Sequence, residues 1–395
     1  MNLAAAGHQL GKRQLLPIAI YIRMILHVQH QLLSDEETQL TMIKKYGFVT
    51  GLVISFAASG IAHYAGWNTT LQFILACIAI VFVAGFLGKA TESVAHYAGD
   101  RAGGFLNATF GNAAELIIAI ILIKDAVNGK PELFEVVKAS ITGSIIGNLL
   151  LVLGASVLIG GLKFKEQRFN ENLAAHNSSL MLLAVIALFM PAIFHADITG
   201  TQMNQFSLVV AGILMICYFL WLYFSMVTHK NILAEEQSEH GEAAWSKGLS
   251  ICFLVLATVL VALVSEWLVG NVEAVTERFN LSELFVGAFL IAIIGNAAEH
   301  SAAIMLALKN KIGASVEIAV GSSLQIALFV APVLVFVSFF MGHEMDLVFS
   351  LYELAAIAVA AIIAISISRD GKTHWYEGVL LLAIYLILGM AFFFL

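Results

Sequence analysis

Apolar residues in this chain come in runs long enough to cross the hydrocarbon core of a bilayer, about 30 Å thick, and no other feature restricts its fold as much. Reading the runs between charged or Gly/Asn-rich breaks gives eleven candidate spans: 48–66, 71–97, 103–124, 133–159, 172–194, 205–228, 247–269, 281–309, 314–341, 347–367 and 373–394. Lipid satisfies no open backbone group, so spanning segments are helices or a closed barrel. The runs are long and lack the alternation of strands, which selects helices. Composition agrees, with 60% apolar and 12% charged residues among 395, against about 45–50% and about 25% in soluble domains. A net charge of −7 leaves no basic excess for nucleic acid. Cys77, Cys217 and Cys252 each sit inside an apolar run and form neither a disulfide framework nor a metal spacing. An all-α polytopic membrane protein is expected.

Basic residues give it a direction. Of the 20 Lys and Arg residues, fifteen lie in the amino-terminal flank or in the loops after the even-numbered spans. Four (Lys124, Lys130, Lys138 and Arg278) lie on the opposite side, and Lys89 falls within a span. The positive-inside bias then places the amino terminus in the cytosol and the carboxyl terminus outside, in a microbial plasma membrane or a vacuole-type membrane. Residues 1–45 form an amino-terminal extension of unknown role; its apolar stretch 15–33 fits an interfacial helix, an irregular extension or a further short span. No small-residue cleavage site follows it, which argues against a signal peptide. The segment 229–246, with Glu235, Glu236, Glu239 and Glu242, reads as an acidic cytosolic linker.

The chain repeats itself. Gly-Asn-Ala-Ala-Glu occurs at 111–115 and again at 295–299, an offset of 184 shared by Phe105 with Phe289 and by Ala119-Ile120 with Ala303-Ile304. Gly143-Ser144 answers Gly321-Ser322 in the following spans, and Thr91-Glu92 answers Ser265-Glu266 in the preceding ones. The copies lie in the third and eighth spans, so equivalent helices enter the membrane in opposite directions. The expected organisation is a leading helix at 48–66 and two inverted five-helix repeats, 71–228 and 247–395. Such folds bind substrate near the bilayer midplane, between the halves.

A carboxylate at that depth costs about 2.5–3.5 kcal/mol on insertion scales, so Glu115 and Glu299 need a partner, a proton or a cation. Neither helix carries a Lys or Arg near them. Residues three and four apart share a helix face, which sets Asn112 beside Glu115 and Asn296 beside Glu299. Gly111 and Gly295 complete each stripe and permit close helix approach or local unwinding. The oxygen-rich, doubly negative pair of stripes suits a hard divalent cation such as calcium, which takes about 6–8 oxygens. Ser144 and Asn148 in the fourth span, and Ser322 and Gln325 in the ninth, are candidates for the remaining ligands. No cysteine or paired histidine accompanies the carboxylates, which disfavours zinc or copper. His300, adjacent to Glu299 but about 100° around the helix, reads first as a packed neighbour. Without a cation, mutual repulsion and low dielectric favour protonation of the pair, so metal and protons compete for the same oxygens. No GxxxxGK[ST] loop points to ATP.

Glu92 and Glu266 form a second repeat-related pair, read as a proton or access path. Lys89 and His96 at i−3 and i+4 give Glu92 a plain alternative as a neutralised residue, whereas Glu266 has no basic neighbour in its helix. Glu353 reads equally as a helix-end or a pathway residue, and Glu283 and Glu317 as interfacial.

The two Gly-Asn-Ala-Ala-Glu copies resemble the signature repeats of the calcium/proton exchanger (CAX) family in the calcium/cation antiporter superfamily. Residues 321–329, Gly-Ser-Ser-Leu-Gln-Ile-Ala-Leu-Phe, are similar to part of its second signature. The resemblance covers roughly 48–395. Sodium/calcium exchangers of the superfamily tend to carry Gly-Thr-Ser-type repeats, which this chain lacks. The resemblance implies alternating access, Glu115 and Glu299 as cation ligands and proton acceptors, and sliding of the first two helices of each half. The acidic stretch sits where the family often has an acidic linker; the resemblance does not extend to 1–45.

The function expected is a secondary antiporter exchanging cytosolic Ca2+ for H+, without a cofactor, in a lipid bilayer; assembly into homo-oligomers is left open. The alternative is a sodium-coupled or manganese-transporting exchanger of the same superfamily. An intramembrane metalloenzyme would call for clustered His and Asp ligands instead of duplicated halves, and a passive channel gives no reason for paired titratable sites.

Overall fold

The computed structural model describes residues 47–198, 200–229, 243–343 and 345–395. The amino-terminal extension and nearly all of the acidic linker lie outside them. Residues 55–395 form one compact unit. It is nearly all helical, and the departure from all-α is a ribbon of two three-residue strands, β1 (Glu166–Arg168) paired antiparallel with β2 (Lys372–His374).

Among the described residues, eight helices are long and apolar enough to span, and nine if one bent pair counts as a single span. In chain order they are α1 (Gly47–Tyr64), α2 (Thr69–Phe110, spanning to Gly99), α4 (Leu133–Phe164), α5 (Leu173–Phe194), α6 (Thr201–Thr228), the α7–α8 stretch (Lys247–Phe279), the bent pair α9–α10, α11 (Ile312–Phe340) and α13 (Trp375–Phe394). Helix α7 itself is Lys247–Val269, and α8 is Val272–Phe279. The eleven expected spans are not all found as single long helices among the described residues, for three local reasons.

The expected span 103–124 is divided: α2 ends at Phe110 and α3 is Ala113–Val127. Its repeat counterpart is divided at the same motif, with α9 (Glu283–Gly295) meeting α10 (Ala297–Leu308) at 60°. The expected span 347–367 is a 17-residue helix, α12 (Leu351–Ile367), about 25 Å long at 1.5 Å per residue and short of the core. A non-helical segment at 345–350 leads into it, with Met345, Leu347 and Phe349 buried. Such backbone needs internal partners at membrane depth. Ser338 Oγ accepts from Met345 N at 2.7 Å, Ser207 Oγ from Leu347 N at 3.0 Å, and Lys138 Nζ donates to Val348 O at 3.1 Å.

Helix α2 bends at Gly99 (φ 79°), a backbone conformation that glycine adopts without the Cβ penalty. Helices α2 and α7, equivalent under the repeat, pack along each other. Helix α1 meets α7 through Trp267, whose ring lies against Phe56 and His63; a Cβ on Gly60 would come within 3.1 Å of that ring. Helices α4 and α11 each contain one wide π turn, Gly147–Val152 and Ile326–Val330. Single π turns inside α-helices recur at functional sites.

Candidate functional site

The two broken helices meet where the motif copies lie. Asn112 and Asn296 occupy the N-cap positions of α3 and α10, and Glu115 and Glu299 fall in the first turns. Two expected continuous stripes thus become two helix starts. The break adds unpaired backbone N–H groups and the positive end of a helix dipole, both favourable to a carboxylate.

An N-cap asparagine ordinarily accepts an N–H bond from the first turn through its side-chain oxygen. Neither Asn112 nor Asn296 does so. Both are buried, at 1% exposure, and both Oδ1 atoms lack any hydrogen-bond partner. Their amide nitrogens are engaged: Asn112 Nδ2 donates to Gln325 Oε1 at 2.6 Å, and Asn296 Nδ2 to Ser144 Oγ and Ala292 O, each at 3.0 Å. The amides are therefore held with their carbonyl oxygens unspent. A buried acceptor without a donor costs about 1–3 kcal/mol, so each oxygen is free to take a hydrogen-bond donor or a cation.

The carboxylates are held in parallel fashion. Ser144 Oγ donates to Glu115 Oε1 at 3.0 Å, and Ser322 Oγ donates to Glu299 Oε2 at 2.7 Å. Each glutamate also lies against the glycine of the other copy. A Cβ on Gly111 would come within 3.1 Å of Glu299 Oε1, and one on Gly295 within 2.9 Å of Glu115 Cγ. Glu115, Glu299, Asn112, Asn296, Ser144, Ser322, Gln325, Gly111 and Gly295 are thus brought together. Asn148 joins through a different contact: its Oδ1 lies 3.2 Å from His300 Nε2, while its Nδ2 is buried without a partner. His300 is accordingly a hydrogen-bonded neighbour.

Glu92 and Glu266 are not part of this cluster. Both are exposed, and Glu266 Oε1 lies 3.5 Å from Lys124 Nζ of α3. The basic partner missing from its own helix comes from the other half of the chain. Glu353 is a helix-end residue: it completes a capping box with Ser350. It is also fully buried and accepts from Thr142 Oγ1 at 3.2 Å.

Reading the sequence missed the surroundings of Lys138. Counted from the sequence among the basic residues of the side opposite the amino terminus, it lies in α4, 8% exposed, 2.7 Å from Glu135 Oε1 and 3.5 Å from Asp346 Oδ1. Its position inside the apolar run 133–159 was the available signal. Outside the spans, Glu273 beside Lys130 raises the lysine above its ordinary pKa, and Arg168 beside Glu166 holds that carboxylate below its ordinary pKa.

Comparison with known proteins bears on the family and the fold. The family model described as sodium/calcium exchanger protein matches residues 68–227 and 249–394. A Ca(2+)/H(+) antiporter ChaA of Bacillus subtilis is 45% identical over 83% of this chain and 93% of its own. A Ca(2+)/H(+) antiporter of Aphanothece halophytica is 45% identical over 89% of this chain and 98% of its own. Among solved structures, native YfkE superposes with a TM-score of 0.77 at 41% identity, covering 88% of this chain and 99% of that one. An H+/Ca2+ exchanger CAX shares the fold, with a TM-score of 0.70 at 14% identity over 88% of this chain and 92% of its own. This chain belongs to the sodium/calcium exchanger protein family and, within it, to the calcium/proton exchangers.

Proposed function

We propose that this protein is a secondary antiporter that exchanges cytosolic Ca2+ for H+ by alternating access. The observation that carries the reading is the pair of buried asparagine oxygens left without donors beside two carboxylates. Four carboxylate oxygens and two amide oxygens reach the lower end of the about 6–8 that calcium takes. Glu115 and Glu299 then hold the cation on one stroke and protons on the return. Ser144 and Ser322 keep each carboxylate aimed inward, and Gln325 fixes the Asn112 amide. Asn148 lines the same space. Removing the cation leaves two carboxylates in low dielectric, and protonation of the pair relieves both the desolvation and the repulsion. That competition couples the two ions without a cofactor.

The relatives are named for calcium paired with protons, which does not favour the sodium-coupled or manganese alternative. The five-plus-five inverted organisation and the cytosolic amino terminus complete the proposal. Everted vesicles or proteoliposomes with an imposed pH gradient test it. Calcium uptake that collapses with a protonophore is expected; uptake that ignores the protonophore and follows a sodium gradient would overturn it.

A further inference from the structure

Four basic residues lie at the membrane end that holds the α3–α4 connection; three tie the two halves of the chain together, and the fourth ties the second half to the start of α2. Lys124 Nζ lies 3.5 Å from Glu266 Oε1 of α7, and Lys130 Nζ 2.5 Å from Glu273 Oε2 of α8. Lys138 Nζ lies 3.5 Å from Asp346 Oδ1, and Arg278 Nη1 donates to Asn68 Oδ1 at 3.2 Å. Two of these ties hold the α7–α8 stretch: one joins Glu266 to the last turn of α3, the other Glu273 to the loop after it.

The opposite end is built differently at the equivalent place. Glu92 is the repeat counterpart of Glu266 and lies in α2, the counterpart of α7. The position equivalent to Lys124 is 308, and the next residue is Lys309, the C-cap of α10. Helices α2 and α10 pack against each other, as α7 and α3 do. Glu92 and Lys309 are both exposed, and neither has an ion-pair partner among the described residues.

When two inverted repeats exchange conformations, a contact made at one end by one set of residues is remade at the other end by their counterparts. We infer that Lys124 and Glu266 form a latch closing one end of the transport path, and that Glu92 and Lys309 form the matching latch at the other end in the alternate conformation. The latch rests on the alternating access proposed above and is independent of which ions move. It also replaces a proton-path role for Glu92 and Glu266 with a positioning one. An ion pair whose side chains are 53% and 60% exposed biases an equilibrium by about 1.5- to 5-fold. So weak a tie suits a contact that must break in every cycle.

Cross-linking tests the latch. Cys77, Cys217 and Cys252 are replaced by Ser, and Glu92→Cys with Lys309→Cys is treated in membranes with a short bifunctional methanethiosulfonate. A Lys–Glu pair spaces its backbones too widely for a direct disulfide. The cross-link should form, stop calcium uptake, and release it again on reduction. Adding Glu266→Gln, which opens the latch at the far end, should raise the cross-link yield about 1.5- to 5-fold. A cysteine pair that is inserted and transports but never cross-links, or a yield that Glu266→Gln leaves unchanged or lowers, overturns the latch. Should the cysteine pair fail to insert, charge exchange provides the second measurement. Glu92→Lys combined with Lys309→Glu should recover most of the uptake lost in either single variant, and absence of recovery overturns the latch. Cross-linking in a chain that does not exchange calcium for protons keeps the latch and removes the ion assignment.

Discussion

The two copies of the Gly-Asn-Ala-Ala-Glu motif share one set of contacts and differ in another. Shared are the serine that donates to each glutamate, the asparagine oxygen without a donor, and the glycine that admits the opposite glutamate. Different are the groups that hold each asparagine amide: Gln325 for Asn112, and Ser144 with Ala292 O for Asn296. The Asn148–His300 contact exists on one side, because its repeat counterparts are Ile326 and Leu116. The oxygens that would meet a cation under the proposed function are duplicated, while the scaffolding behind them has diverged. Substitutions in the shared set should therefore act alike in both halves, and those in the divergent set should not.

Glu115→Gln and Glu299→Gln should have the largest effect. Each breaks a buried charged arrangement, a loss of about 3–5 kcal/mol, and each should lower calcium uptake by more than about 100-fold with the protein still inserted. A glutamine variant that transports normally removes that glutamate from the site. Ser144→Ala and Ser322→Ala each remove a bond to a charged group, about 1.5–3 kcal/mol, and should weaken apparent calcium affinity by about 10- to 100-fold. Ser144→Ala should be the more severe, since Ser144 also accepts from Asn296; equal losses would argue against the divergent scaffolding.

Gly111→Ala and Gly295→Ala should follow, at about 1–2 kcal/mol of overpacking and roughly 5- to 30-fold in uptake. Gly111→Ala should cost more, because its Cβ would also meet backbone, Asn107 O at 2.8 Å, whereas Gly295 faces a side-chain methylene. Asn148→Ala removes one neutral hydrogen bond, about 0.5–1.5 kcal/mol, and should reduce affinity by about 2- to 10-fold. The corresponding Ile326→Ala should leave the cation affinity unmoved.

The smallest effect is expected outside the membrane. Lys130 has its pKa raised above 10.5 by Glu273, so the pair's stabilisation is fully present below that value and is lost as pH rises through the raised one. The melting-temperature difference between Lys130→Met and the parent should be the same at pH 7 and pH 9 and shrink only in stronger alkali.

The site was legible in the sequence to the extent that charge is expensive in lipid. Glu115 and Glu299 stand out because a mid-span carboxylate without a basic neighbour must serve some purpose, and the repeat pairs them. The same reasoning did not find the ion pair of Glu266. A local helical pattern lists neighbours at i±3 and i±4, and Lys124, the partner of Glu266, lies 142 residues away. It also missed the setting of Lys138, whose partners are Val348, in a segment that periodicity read as helix, and Asp346 just before it.

The sequence by itself determined the membrane class, the helical character, the duplication and the identity of the paired glutamates. These follow from apolar run length, from the cost of burying backbone and charge, and from an identical block recurring at one offset. Only the tertiary structure decided that the motif helices break at Asn112 and Asn296 and leave two oxygens without donors. It also decided that each glutamate lies against the other copy's glycine, and that Glu266 ties the two halves together. Those outcomes depend on groups brought together across more than a hundred residues of chain, where one half completes the hydrogen bonds and charges that the other leaves open.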